Sequence, residues 1–344
     1  MELPRRVIVG NNLLRLVGEA CRSLGFSEKG LVISGPRTRS TAAEAVLDSL
    51  SDAGFDVEEL IVPEPTVHWV EAAERKIKES KPQVVLGVGG GKIIDVTKLS
   101  SAKSQVQFIS IPTAASHDGI ASPQASLKGL EKPLSVGAQA PMAIIADISV
   151  IAGSPYRLTA SGCGDIMAKY TAVKDWWLSH QLQNEYYGDY AANLALMSAR
   201  LVSKNADLIH ENSQQGVRIV VEALISCGVA MSIAGSSRPC SGSEHLFSHA
   251  LNMIAPDRAL HGERCGVGTI MMAYLHKLKW KMVRDVLRKV GAPTTAEELH
   301  VSPQDVVEAL AMAHKIRPQR YTILGEKGLS KDAAHRLAKN TGVI

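Results

Sequence analysis

Aromatic residues are scarce in this chain: Phe, Trp and Tyr make up 4% of its 344 residues, while 45% of the residues are hydrophobic. With so few rings, the core must be built from Ala, Val, Ile and Leu, which suits helices packed on a sheet and on one another. A hydrophobic share of that size suits two globular domains. Cysteines are few. Cys21, Cys163, Cys227, Cys240 and Cys265 are odd in number and form no framework. That argues against a disulfide scaffold and for reduced thiols in a cytoplasmic protein. Small buried hydrophobes are the default reading of all five. Cys163, Cys240 and Cys265 lie near motifs rich in His, Gly and carboxylates, where oxidation or metal ligation is the competing reading. No dense Lys/Arg run occurs, and the net charge is only +4, which argues against a nucleic-acid surface. No uncharged apolar run reaches the roughly 18 residues of a membrane span. The opening MELPRRVIVG lacks the apolar stretch of a secretory signal. Neither G-x-G-x-x-G nor the P-loop pattern is present, since Ile93 follows Lys92 where a P-loop needs Ser or Thr.

Periodicity divides what is there into two halves. Residues 5–9, 31–34, 57–62, 84–88 and 106–111 read as strands, with helical patterns at 12–25, 41–53 and about 67–80. Strands alternating with helices of ten or more residues predict an α/β half with a parallel sheet covered on both faces. Short strands are expected at 126–130, 133–138 and 142–147, with Asp147 capping the next element. After Pro155 helical patterns dominate, at 156–181, 188–210, 214–234, 244–254, 265–290, 302–315 and 330–340. The predicted organisation is an α/β domain over 1–155 and an all-helical domain over 156–344. The apolar segment 219–234 is expected to be a buried helix.

The second half carries the sharpest signal. His245 and His249 are four apart and share a face if helical, and His261 follows twelve residues later. Converging neutral imidazoles suit a divalent metal, zinc first; partly exposed helix residues are the plainer reading. Upstream, Asp165 and Lys169 also stand four apart, a spacing usual for an ion pair on a solvated face. Here Gly162, Cys163 and Gly164 precede them and Ile166, Met167 and Ala168 lie between, so that face reads as buried. A buried carboxylate needs a partner, and a cation on His245 and His261 would be one.

In the first half, the apolar strand at 84–88 enters Gly89, Gly90 and Gly91 and then a helix beginning Lys92, Ile93, Ile94, Asp95. Glycines let backbone N–H groups approach a phosphate, and the helix N-terminus adds its dipole, so a pyrophosphate cradle is expected; a turn tightening strand-to-helix packing is the alternative. A polar loop from Thr113 through Ala114, Ala115, Ser116, His117 and Asp118 to Ser122 comes after the next strand. Its hydroxyls suit a nucleotide and its Asp118 suits substrate hydroxyls, whereas Asx and Ser turns alone would explain the same composition.

Together GGGKxxDxxK, PTxxSxDGxxS, GxxDxxxK, SGSEHLFSH and HGExxGxG make the chain similar to the iron-dependent alcohol dehydrogenase and dehydroquinate synthase superfamily. The forms at 112–119 and 241–249, with RPQRYTIL at 317–324 and the closing TGVI, look most like its archaeal-type glycerol-1-phosphate dehydrogenase branch. The resemblance covers nearly the whole chain. It implies a dinucleotide-binding domain, a helical metal and substrate domain, and an active site in the cleft between them. It also implies Zn²⁺ on Asp165, His245 and His261, with His249 moved from the metal to the substrate. Asp118 and Asp165 would likewise touch substrate, and residues 91–95, Thr113–Ser116 and Ser122 would contact NAD(H) or NADP(H). The implied reaction is NAD(P)H-dependent, reversible reduction of dihydroxyacetone phosphate to sn-glycerol 1-phosphate for archaeal membrane phospholipids, by a homo-oligomer. The competing readings are a glycerol dehydrogenase on unphosphorylated substrate, a dehydroquinate synthase-like lyase, and an inactive nucleotide-binding relative. Arg37 and Arg39, with no acidic residue in the loop after the second strand, point towards tolerance of NADPH. For the substrate phosphate, Lys169, Arg258 and Arg264 flank the metal motifs, with ordinary ion pairs as the plainer reading.

Overall fold

A computed structural model describes residues 3–126 and 135–344, so the expected strand at 126–130, beyond Ser126, lies outside the described residues. Contacts divide the described chain into two compact units. One holds the residues up to Ala115 and from Gly119 to Pro155; the other holds Ser116–Asp118 and Tyr156–Ile344.

The first unit is built on a parallel six-stranded sheet. Its strands are β1 (Arg6–Gly10), β2 (Lys29–Ser34), β3 (Asp56–Ile61), β4 (Val84–Gly89), β5 (Gln107–Pro112) and β8 (Ala143–Asp147), in the order β1-β8-β5-β4-β2-β3. Two short strands, β6 (Gln124–Ser126) and β7 (Ser135–Gly137), form an antiparallel pair apart from it. β4 is buried throughout, as a strand covered on both faces must be, and its residues are all Val, Leu and Gly. Edge strand β3 is charged instead, and Glu58 pairs with Lys29 and Lys76, which discourages pairing with another chain. Two aliphatic clusters cover the sheet, one around Val17, Val46 and Leu50, the other around Val70, Ile77 and Ile94. Asp147 ends β8 and accepts from Ser149 N–H (3.0 Å), capping the helix Ile148–Ala152; its other oxygen accepts from Leu13 N–H (2.6 Å). One carboxylate thus ties the start of the unit to its end, at about 1 kcal/mol for the cap alone.

The second unit is helical. The long helix Tyr156–Gln183 packs along His261–Leu275, and Ser243–Ile254 lies against both. The predicted helix at 265–290 is two helices, His261–Leu275 and Trp280–Lys289. Lys277 sits between them in the left-handed region (φ 55°), and Leu278 N–H closes on Ala273 O (2.9 Å). No glycine or proline marks that stop, so periodicity ran through it. The pattern at 188–210 also breaks, at Asn205, again without a glycine or proline. Gln214–Ala234 is long and apolar enough to cross a membrane, but 61% of its apolar window is buried in the protein, against Asp189–Lys204 and Tyr156–Gln183.

Candidate functional site

Glycine decides how closely the two central helices of the second unit approach. A Cβ on Gly164 would lie 2.3 Å from Gly262 O, and one on Gly262 would lie 1.9 Å from Ser161 O. The backbones touch because neither residue has a side chain. Each glycine stands beside a residue of interest, Asp165 and His261. Gly262→Ala must separate the helices, costing about 1–3 kcal/mol as overpacking. It should also carry His261 away from Asp165, so thermal unfolding and metal retention should fall together.

At that crossing four buried or nearly buried donors converge. Asp165, His245, His261 and Cys265 each present one ligand atom, and these atoms lie within 4.8 Å of one another. His245 Nε2 is 3.5 Å from Asp165 Oδ1, and Cys265 Sγ is 3.5 Å from His261 Nε2. His249 is not in this set. Spacing alone put it on the metal beside His245, but the helix Ser243–Ile254 holds its ring 6.0 Å, centre to centre, from that of His261. Cys265, one turn beyond His261 on the same helix, stands among the donors.

The surroundings orient these groups. Glu244 is fully buried; Oε1 accepts from Gly242 N–H (2.7 Å) and meets His245 Nδ1 (2.9 Å), and Oε2 accepts from Thr171 Oγ1 (2.7 Å). A proton on Nδ1 leaves the His245 Nε2 lone pair turned to the cluster, the arrangement that metal-binding imidazoles adopt. Asp165 Oδ1 meets Lys169 Nζ (2.8 Å) and Oδ2 accepts from Asp118 N–H (2.8 Å). Lys169, fully buried, also pairs with Asp118 Oδ2 at 2.8 Å. Burial opposes charge on both, but the Asp118 and Asp165 carboxylates hold Lys169 well above its ordinary value. In turn Lys169, His245 and His261 hold Asp165 well below its own. His261 is driven well below its ordinary value by burial and by His245.

A divalent cation fits this donor set. One carboxylate, two imidazoles and a thiol are ligands for zinc and its neighbours. A carboxylate oxygen accepts about two bonds, so beside Lys169 Nζ on Oδ1 and Asp118 N–H on Oδ2 the Asp165 carboxylate has capacity for a cation.

Three residues from the loop after β5 belong here. Ser116 O accepts from Ser161 Oγ (3.3 Å), His117 faces His261 at 6.1 Å, and Asp118 is held by Lys169. Periodicity could not foresee that these three residues would leave the first unit's packing for the second's.

Arginines gather near His249. Burial, with His245, Arg317, Arg264 and Arg320, pushes its imidazole down to about 3. Arg320 is pushed down to about 9 by burial and by Arg317 and Arg238, and donates to Ser241 O (2.6 Å) and Ser237 Oγ (2.8 Å). Arg238 grips Glu185 through Nε (2.7 Å) and Nη2, and its Nη1 is buried with no partner among the described residues. The phosphate candidates named from sequence are placed otherwise. Lys169 is held by two carboxylates; Arg264 bonds Ala259 O and, at 3.4 Å, Ser248 Oγ; Arg258 is exposed.

In the first unit, the glycine run stands where the strand order reverses, between β4 and β2, the usual ligand-binding crevice of an open parallel sheet. A Cβ on Gly89 would lie 2.7 Å from Ile93 Cβ, so that glycine serves strand-to-helix packing. One on Gly90 would meet nothing within 4 Å among the described residues, so their packing does not require it. Gly91 opens the helix Gly91–Lys103, Lys92 is exposed, and Ile93 and Ile94 are buried with their N–H groups on Gly90 O. The Asp95 carboxylate pairs with Lys98 (3.1 Å) and accepts from Ser126 N–H (3.0 Å). Lys98, the last residue of GGGKxxDxxK, ties this helix to Gly119 O (2.7 Å) and Gln124 O (2.6 Å). Thr113 N–H donates to Gly89 O (3.0 Å), Ala114 and Ala115 are buried, and Ser122 is buried beside Gln124. Of the two loop arginines, Arg39 pairs with Glu59 (3.0 Å) and Glu44 (2.6 Å), and Arg37 is exposed.

Known proteins agree with this architecture. Residues 8–155 match the family model for iron-containing alcohol dehydrogenase. A solved glycerol dehydrogenase from Schizosaccharomyces pombe is 20% identical with a TM-score of 0.82, covering 98% of this chain and 89% of that one. The NADH-dependent butanol dehydrogenase of Thermotoga maritima is 16% identical with a TM-score of 0.77, covering 98% and 97%. At those identities they share the fold. Sequence relatives are nearer. Glycerol-1-phosphate dehydrogenase (NAD(P)+) of Thermococcus sibiricus is 53% identical, over 100% of this chain and 98% of its own length. That of Methanothermobacter thermautotrophicus is 51% identical over 100% and 99%. With half its residues shared along the full length, the chain belongs to the glycerol-1-phosphate dehydrogenase (NAD(P)+) family.

Proposed function

We propose that this chain reduces dihydroxyacetone phosphate to sn-glycerol 1-phosphate with NAD(P)H, reversibly, using a divalent metal, zinc first. The observation that carries the reading is the convergence of Asp165, His245, His261 and Cys265 within 4.8 Å, beside Asp118 and His249. When bound, the metal supplies Lewis-acid polarisation of the substrate carbonyl and the nicotinamide supplies hydride. Asp165 stays ionised because Lys169 neutralises it in a buried site, and Glu244 fixes the His245 tautomer. His249, kept neutral, offers one N–H and one bare nitrogen, so it can accept a proton on one side while donating on the other. Asp118 is fixed by Lys169 to accept from a substrate hydroxyl. In the first unit, the open face of Gly90 and the N–H groups beginning the following helix suit the pyrophosphate of the cofactor.

The phosphorylated substrate is favoured over glycerol or dihydroxyacetone by the arginines. Buried Arg238 and half-buried Arg317 both act on half-buried Arg320, against Glu185 and Glu244, and Arg238 Nη1 has no hydrogen-bond partner among the described residues. A phosphate dianion would complete that set. The product would serve as the glycerophosphate backbone of archaeal phospholipids.

The test compares NAD(P)H oxidation with dihydroxyacetone phosphate and with dihydroxyacetone, and determines the product's stereochemistry. The phosphate ester should be preferred by about 10-fold or more, as charged hydrogen bonds worth about 1.5–3 kcal/mol predict. Arg317→Ala should raise its KM while leaving turnover of dihydroxyacetone unchanged. Equal use of both substrates, or the opposite stereoisomer, would overturn the reading.

A further inference from the structure

The geometry points to Asp175 as a positioning residue that holds the arginines of the 317–324 segment in register with the helix Ser243–Ile254, and so sets the preference for a phosphorylated substrate without touching it. That role presupposes the phosphate site proposed above, and Asp175 itself lies outside every motif named from the sequence. It stands on the helix Tyr156–Gln183, beyond Asp165 and Lys169, and is fully buried.

Its two oxygens serve different parts of the chain. Oδ2 accepts from Ser243 N–H (2.6 Å) and Ser243 Oγ (2.5 Å), at the first residue of the helix that carries His245 and His249. Oδ1 accepts from Ile323 N–H (2.7 Å) and meets His276 Nε2 (2.9 Å), just past the end of the helix His261–Leu275. A carboxylate offers about four lone-pair sites, so its accepting capacity is used in full. Capping a helix start would account for Oδ2 alone. Oδ1 is turned to the segment 317–324, which has no helix or strand of its own and carries Arg317 and Arg320. Backbone without a ladder has to be placed by ties of this kind.

The same two stretches are joined a second time, because Arg320 donates to Ser241 O (2.6 Å). Residues 241–243 and 320–323 are thus linked at both ends, directly at Arg320 and through Asp175 at Ser243 and Ile323. Gly242 lets the carboxylate come this close, since a Cβ there would lie 2.5 Å from Asp175 Oδ2 and 2.8 Å from Ala172 Cα. The Gly242 N–H goes to Glu244, the residue that orients His245. Losing one Asp175 oxygen as acceptor therefore leaves an N–H unsatisfied at Ser243 or at Ile323, and the arginines shift against His249.

The experiment measures kcat/KM for dihydroxyacetone phosphate and for dihydroxyacetone in the full-length, metal-loaded wild type and in Asp175→Asn. The variant keeps the shape of the side chain but has one acceptor oxygen in place of two. Damage common to both substrates, through stability or through the metal donors, cancels in the ratio of the two values. That ratio should fall roughly 3–10-fold, the range of one lost hydrogen bond, and through KM for the phosphate ester. In an Arg320→Ala background Asp175→Asn should lower it no further, because both act through one segment. An unchanged ratio, or losses that multiply across the two variants, would overturn the positioning role. If Asp175→Asn does not fold, His276→Ala, which leaves the carboxylate in place with one donor fewer, decides by the same ratio. A wild type with no preference for the phosphate ester would overturn the proposed function and this role with it. A preference that survives the variants would overturn this role alone.

Discussion

His261→Ala is expected to leave a folded protein that retains no metal and reduces dihydroxyacetone phosphate roughly a thousandfold more slowly or worse. Lewis-acid stabilisation of the transition state is worth several kcal/mol, at 1.36 kcal/mol per factor of ten. The fold should survive because the start of the helix His261–Leu275 is held by other groups. Glu263 accepts from Leu260 N–H at 2.7 Å, and Arg157 grips the same carboxylate at 2.6 and 2.8 Å. Removing the imidazole also removes no helix-to-helix contact of the kind made at Gly164 and Gly262. Metal content by elemental analysis, circular dichroism and turnover check the three parts of this expectation. One equivalent of retained metal with normal turnover would remove His261 from the site.

Lys169→Met should cost the metal-free protein about 3–5 kcal/mol, the usual penalty for leaving a buried charge without its partner. The shape of the side chain is nearly kept, so the loss would be electrostatic. Lys169 is fully buried and is held at 2.8 Å by Asp165 and by Asp118, so its removal leaves two carboxylates facing each other. A divalent cation bound as proposed would lie on the same carboxylate and offset part of the loss. The penalty should therefore shrink when denaturant unfolding is repeated with saturating zinc. An equal penalty with and without metal would show that the cation and the ammonium do not share Asp165.

Much of the fold was legible because short-range patterns carry it. The apolar runs at 84–88 and 142–146 read as strands and are buried strands, and the helical pattern at 214–234 has the bounds of the helix, which Gly235 ends in the left-handed region at φ 64°. The stops at Asn205 and Lys277 were not legible, since neither carries the glycine or proline that announces a break. The site divides along similar lines. Asp165, His245 and His261 stand in motifs whose residue types state their chemistry. His249 was ambiguous because four-residue spacing defines a face, whereas a metal needs a point. Cys265 was one of three cysteines near the motifs for which metal ligation competed with simple burial, and sequence position alone could not single it out from Cys163 and Cys240. Lys98 closes the motif GGGKxxDxxK, but its role as an internal tie shows only in its three close oxygen partners.

What the amino-acid order determined by itself was the succession of strands and helices, the glycine run at the end of a buried strand, and the presence of one carboxylate and three imidazoles in recognisable settings. These depend on neighbours a few residues away, which a linear pattern records. Tertiary structure alone decided that Ser116–Asp118 joins the helical unit, that Lys169 is shared between Asp118 and Asp165, and that a cysteine stands where a histidine was first expected. Each of these depends on two helices approaching until backbone touches backbone, at glycines about a hundred residues apart in the chain, Gly164 and Gly262, a distance over which sequence periodicity has no reach.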